Sequence, residues 1–188
     1  MKTVRTLALL AASAFLLLAS GAQAQPAAPY LPGYFTLMGG GYIPEGDLNT
    51  DHYDANTGFV GLLTFGYQVN PFFGLQTDLG YFQTSGDHDL KIASIPLAVS
   101  LKLAIPVAFV EPYVLGGGGV YFTKLKGDEA FSDESSTDFG AHLAGGVNFI
   151  FGRFQVGAEA RYIWLKLADA EDFVIDGLQV MGTLGMRF

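Results

Sequence analysis

Polar and apolar residues alternate along most of this chain with a period of two, the repeat of a β-strand whose two faces meet unlike surroundings. Between Phe154 and Leu165, the series Phe154, Val156, Ala158, Ala160, Tyr162 and Trp164 interleaves with Gln155, Gly157, Glu159, Arg161, Ile163 and Leu165. The final stretch repeats the pattern, with Leu178, Val180, Gly182, Leu184 and Met186 leading to a terminal Phe188. Eight segments read this way: Tyr34 to Ile43, Gly58 to Val69, Phe73 to Thr84, Ile92 to Leu103, Phe109 to Phe122, Phe139 to Ile150, Phe154 to Leu165, and Gly177 to Phe188. Each is close to the about 9 to 11 residues that a tilted strand needs to cross a bilayer.

The connectors alternate in length. Asn70-Pro71-Phe72, Ala104 to Ala108 and Phe151-Gly152-Arg153 are tight, whereas Pro44 to Thr57, Ser85 to Lys91, Thr123 to Asp138 and Lys166 to Asp176 are longer and polar. Short turns on one side and long loops on the other predict an all-β fold, an eight-stranded antiparallel up-and-down transmembrane β-barrel. An even strand number puts both chain ends at the short-turn side.

Charge assigns the faces. The set that begins at Phe154 faces lipid, as do Leu75, Thr77, Leu79 and Tyr81 of the third segment and Leu97, Val99, Leu101 and Leu103 of the fourth. Their neighbours Gln76, Asp78, Ser100 and Lys102 face inward. A soluble lipocalin barrel would show the reverse, apolar within and polar without. Of the 18 acidic residues, all but Asp78, Glu111 and Glu159 fall in or beside the long loops. Those three land on the inward face, with Lys102, Arg161, Arg187 and His142. Three acids and three bases in a narrow interior must pair, because a lone buried ion costs several kcal/mol. Symmetry about the turns predicts the partners: Lys102 opposite Glu111 about Ile105 to Val107, and Asn148 with Gln155, Ala144 with Glu159 and His142 with Arg161 about Phe151-Gly152. The expected network is therefore a balanced plug, with His142 held by Glu159.

Composition agrees with export to an envelope. Lys2 and Arg5, the apolar run Leu7 to Ala19 and the small-x-small site Ala22-Gln23-Ala24 form a secretory signal peptide, so residues 1–24 are expected to be removed and 25–188 to form one barrel domain. Leu90 to Phe122 is apolar enough for a helix, but Pro96, Pro106, Pro112 and the glycines from Gly116 to Gly119 would break one. The chain has no cysteine, so closure and packing must supply its stability.

The signal peptide, the eight segments, GYQVNPFFGLQTDLGY (Gly66 to Tyr81), PYVLGGGGVYF (Pro112 to Phe122) and the terminal Phe188 together resemble the outer-membrane β-barrel domain family of OmpA and OmpX type. The likeness covers essentially the whole mature chain. It implies that Phe188 is an assembly signal read by the barrel-assembly machinery, that periplasmic chaperones carry the chain, and that a lumen ion-pair network blocks or gates the interior, with Glu159 and Arg161 in comparable places. It implies a monomer among outer-membrane lipid and lipopolysaccharide. No peptidoglycan-binding domain follows the last strand, so cell-wall anchoring is not expected.

Other chemistry is thinly supported. Some eight-stranded barrels act on lipid A through a Ser/His/acid set at the outer rim. Here His142 points into the lumen, while His52 and His88 sit in acidic loops apart from Ser85, Ser132, Ser135 and Ser136. Asp47-Leu48-Asn49-Thr50-Asp51 matches three ligand positions of a calcium loop, but His52 and Gly58 stand where its glycine and bidentate glutamate belong. The glycine run lacks a P-loop lysine, and a net charge of -8 repels nucleic acid. No cofactor and no metal is expected. The reading is a structural or surface-interaction protein, with a narrow porin-like channel and a lipid A-modifying enzyme as alternatives.

Overall fold

The computed structural model describes residues 31–46, 49–50, 53–54, 57–85, 91–126, 134–166 and 174–188. The expected signal peptide, His52, His88 and most of the acidic loop residues lie outside them. Ten strands follow in chain order: β1 Gly33–Gly46, β2 Asn49–Thr50, β3 Tyr53–Asp54, β4 Gly58–Gln68, β5 Phe73–Ser85, β6 Lys91–Ala104, β7 Val110–Lys126, β8 Glu134–Phe151, β9 Phe154–Lys166 and β10 Val174–Arg187. β2 and β3 form a small separate hairpin in the first long connector. The other eight close into one antiparallel barrel in the order β1-β10-β9-β8-β7-β6-β5-β4. Gly33 and Phe188 exchange backbone hydrogen bonds of 2.9 and 2.8 Å at the seam, so the described chain ends meet at the short-turn side.

Alternation of burial follows the sequence pattern throughout. Leu75, Leu79, Val99, Leu101, Phe154, Val156 and Trp164 are exposed on the outer wall, and Gln76, Asp78, Ser100, Lys102, Gln155, Glu159 and Arg161 are buried within it. Exposed aromatics ring both ends of the wall. Phe72, Phe73, Phe109, Phe151 and Phe154 mark the short-turn end, and Phe59, Tyr81, Phe122, Phe139 and Trp164 mark the other. Such belts sit where a bilayer's hydrocarbon gives way to headgroups.

Apart from β4, which stops one residue short at Gln68, the barrel strands are longer than the alternation predicts. β7 and β8 run to 17 and 18 residues and absorb much of the third long connector, where Thr123 pairs Ser136 and Phe122 pairs Thr137. Beyond the membrane the outer face no longer needs apolar residues, so a ladder continues there without an alternating signature.

Register departs from the symmetric expectation at two hairpins. Lys102 is opposite Leu115, not Glu111, and Glu111 is opposite Asn148 of β8. The turn is centred on Ala108-Phe109, with Val107 and Val110 exchanging hydrogen bonds of 2.8 and 2.9 Å and Ala108 in the left-handed region at φ 55°. In β8–β9 the turn is Gly152-Arg153, with Gly152 at φ 63°, so Asn148 is opposite Gly157, Ala144 opposite Arg161, and His142 opposite Ile163. Each slip is an even number of residues, which changes partners but keeps every side chain on its face.

Candidate functional site: the charged lumen

Toward the short-turn end, Glu111 from the start of β7 is a hub. Its Oε1 accepts from Lys102 Nζ at 3.0 Å, Arg187 Nη2 at 2.6 Å and Asn148 Nδ2 at 3.3 Å, and its Oε2 accepts from Gln68 Nε2 at 3.2 Å. Arg187 also donates through Nε to Gln155 Oε1 at 2.8 Å and through Nη1 to Gln68 Oε1 at 3.3 Å. Residues of six strands, β4 and β6 to β10, thus meet around one carboxylate and its two cations. Lys102 Nζ also lies 4.2 Å from the Tyr113 ring centroid and 4.9 Å from that of Tyr34, inside the range of cation–π attraction.

Nearer the barrel's middle the charges invert. Arg161 is the hub here, with Nη1 2.9 Å from Asp78 Oδ2 and Nε donating to Glu159 Oε1 at 2.9 Å. Its Nη2 lies 2.8 Å from the same Glu159 oxygen without the alignment of a hydrogen bond. Asp78 also accepts from Thr64 Oγ1 at 2.6 Å and Gln76 Nε2 at 3.1 Å. Tyr113 joins the two clusters: its ring lies under Lys102, and its hydroxyl donates to Glu159 Oε2 at 2.8 Å. Tyr34 makes a parallel link, its hydroxyl donating to Gln76 Oε1 at 2.9 Å.

Both tyrosines lie flat across glycines of the neighbouring strand. A Cβ on Gly66 would fall 1.9 Å from Tyr34 Cζ, and one on Gly146 would fall 2.5 Å from the Tyr113 ring. No larger residue fits at either place without turning the ring out of the lumen, and with it the hydrogen bond that ring supports.

Toward the long-loop end the large buried side chains are mostly apolar, although Thr84, Ser94, Thr123 and Asp138 are buried there too. Met38, Tyr42, Val60, Leu62, Phe82, Ile92, Tyr121, Ile163, Leu165 and Met181 form one buried cluster, with Tyr42 and Phe82 ring centroids 5.0 Å apart. His142 stands apart from the expected Glu159: its Nε2 is 2.7 Å from Ser100 Oγ, and its Nδ1 has no hydrogen-bond partner among the described residues. The eight long strands thus form a closed antiparallel barrel, apolar on its outer wall and charged inside. The family model for the outer membrane protein beta-barrel domain matches residues 12–188. The chain belongs to that family.

Solved barrels agree on the fold. Neisserial surface protein A is similar at a TM-score of 0.66 and 18% identity, covering 83% of this chain and 97% of that one. Ail, the attachment invasion locus protein of Yersinia pestis, gives 0.57 and 19%, covering 85% and 100%. The N-terminal barrel of Pseudomonas aeruginosa OprF gives 0.52 and 13%, covering 85% and 100%. No curated protein matches in sequence. Family and architecture place this member in the bacterial outer membrane.

Within this outer-membrane barrel, Asp78, Lys102, Glu111, Glu159, Arg161 and Arg187 come together in two clusters. Lys102 reaches Glu111 along the barrel, although the two are not register partners. The Arg161–Asp78 and Arg187–Glu111 pairs were not expected from the sequence, because they bridge strands distant in the chain. Parity alone puts all four residues on the inner face. Phe188 is exposed at the end of β10, outside the lumen.

Proposed function

We propose that this outer-membrane barrel is a closed scaffold that presents its acidic loops at the cell surface in a structural or interaction role. The observation that carries the reading is the packing of the lumen: two ion clusters below and a largely apolar layer above, with Asp78, Lys102, Glu111, Glu159, Arg161 and Arg187 each in direct contact with an opposite charge. A conducting pore would more often keep a net field along its path. In this reading the leader is cleaved after Ala24, the mature monomer spans 25–188, and lipopolysaccharide surrounds it.

The planar-bilayer experiment tests this directly. Refolded protein should give no steady conductance at neutral pH in moderate salt; a large, constant conductance would replace the scaffold by a narrow channel. Lipid A from cells expressing the protein should keep its mass profile. The lipid A enzyme is disfavoured by the only Ser–His contact among the described residues, Ser100–His142, which is buried among lumen side chains with no acid accepting at Nδ1.

Phe188 is read as the assembly signal. Deleting it should lower outer-membrane levels in cells, measured by fractionation and immunoblotting, and leave refolding of the purified chain into detergent largely intact. Normal levels in cells would reduce Phe188 to an interfacial aromatic.

A further inference from the structure

Glycines stand in these strands for two different reasons. At Gly40 and Gly185, whose open side faces the lumen, a Cβ would collide with the carbonyl oxygens of Val180 and Phe35, so the tight wall itself excludes a side chain. Gly39, Gly41 and Gly182 fall on the lipid-facing row, and there is no such crowding there. A Cβ on Gly39 would meet nothing within 4 Å, and one on Gly41 or Gly182 would find its nearest neighbour at 3.8 or 3.9 Å, an ordinary van der Waals contact. Glycine weakens a strand, and inside one it marks a place where a ligand or another backbone comes close. The barrel's own packing gives no reason for these three.

Register brings them into one shaped groove. Gly39 of β1 is opposite Gly61 of β4 and Gly182 of β10, so three glycines lie side by side across three strands. Two residues along β1 toward the long-loop end, Gly41 passes between Phe59 and Val180, both exposed. Two residues the other way, Leu37 and Leu184 are opposed, exposed at 57% and 59%, and stand as a stop toward the short turns. Phe59 leans over Gly61, its ring 3.5 Å from where a Cβ would be. The cavity lined by Leu37, Gly39, Phe59, Gly61, Gly182 and Leu184 holds about 560 Å³, within the range of small-ligand pockets. It opens on the outer wall, between the two aromatic belts, and Gly41 leads into it from the long-loop side.

We propose that this groove holds the distal part of one acyl chain of a lipid in the leaflet at the long-loop end. The groove is continuous with the lipid-facing wall, and the outward side chains around it, Leu37, Phe59, Val180 and Leu184, are all apolar. A lipid tail is as apolar as leucine, so no hydrophobic gain draws it in. What the groove offers is van der Waals contact on several sides, which a chain lying against the leucine-covered wall of β5 and β6 does not find. A lipid of the other leaflet meets Leu37 and Leu184 first. The site deepens the outer-membrane reading and rests on its placing this wall in a bilayer.

The test uses the refolded full chain in phosphatidylcholine vesicles doped with a phosphatidylcholine that carries a diazirine on one chain, either at the last carbon or beside the carboxyl carbon. After irradiation, peptide mass spectrometry locates the adducts. The last-carbon probe should label Leu37, Phe59 and Leu184 severalfold more than Val99 and Leu101 of β6, and the carboxyl-side probe should label Ile43 and Leu178, which are paired on the long-loop side of the groove. Gly39→Leu and, independently, Gly182→Leu fill the groove without a clash and should each abolish the excess. Gly116→Leu is the control and should retain it: Gly116 also has room for a side chain, but it lies on β7, across the barrel from β1, between Leu101 and Leu143. Uniform labelling of the exposed wall, or an excess that survives both filling variants, overturns the site. Carboxyl-side adducts on Phe35 and Met186 would mean entry from the other leaflet and overturn it as well. A wild-type dimer by light scattering in detergent that both filling variants abolish would give the groove to a second copy and overturn the lipid. Adducts that do not follow the exposed wall at all would overturn the outer-membrane reading itself.

Discussion

Glu111→Gln is expected to destabilise the barrel by ~3–5 kcal/mol, less wherever lumen water reaches the cluster, because it leaves Lys102 and Arg187 buried together without their shared anion. The side chain keeps its shape, so the loss is electrostatic. Lys102→Met should cost clearly less, since Arg187 Nη2 still reaches Glu111 Oε1 at 2.6 Å. The double variant Lys102→Met/Glu111→Gln should recover part of the Glu111→Gln loss: one orphaned cation is gone, and Arg187 retains Gln155 and Gln68 as acceptors. Urea unfolding in micelles gives the three free energies, and the cycle gives their coupling. Effects that simply add would show that Lys102 and Glu111 do not interact, and would remove the central support for a closed lumen.

Val99→Arg should be the most damaging change on the outer wall. Val99 is 54% exposed near the middle of β6, where an arginine facing lipid costs ~2–4 kcal/mol. Ala93→Arg, six residues toward the long-loop end on the same face, should cost ~0–1 kcal/mol because it lies near the interface. Folding into lipid vesicles, followed by urea titration, measures both. Equal cost at the two depths would mean that this face does not look into a bilayer.

Which face each residue occupies was legible in the sequence, and which residue it touches was not. Parity survives any even slip of register, so it places Asp78, Lys102, Glu111, Glu159, Arg161 and Arg187 inward whatever their partners. The partners depend on where each turn is centred. Ala108 gave no warning that a non-glycine residue would take a left-handed conformation and move the β6–β7 turn by two residues. The long-range pairs Arg161–Asp78 and Arg187–Glu111 needed barrel closure, which brings β5 toward β9 and β7 toward β10 across the lumen. The outer apolar layer was harder still. Ile163 and Leu165 alternate with Tyr162 and Trp164, four apolar residues in a row, and there the period of two carries no contrast to read.

The two lumen clusters also set up a field along the barrel axis. Lys102, Arg187 and Glu111 carry a formal charge of about +1 at neutral pH, and Asp78, Glu159 and Arg161 carry about −1. Stacked along the axis, they resemble the positive and negative layers of a bipolar junction. An anion entering from the short-turn end is drawn to the first layer and turned back by the second, and a cation meets the reverse sequence. Neither species has a downhill route, although the two clusters together are formally neutral. Were the apolar layer above to be breached by mutation, the exposed interior would act as a rectifier, passing ions unequally in the two directions.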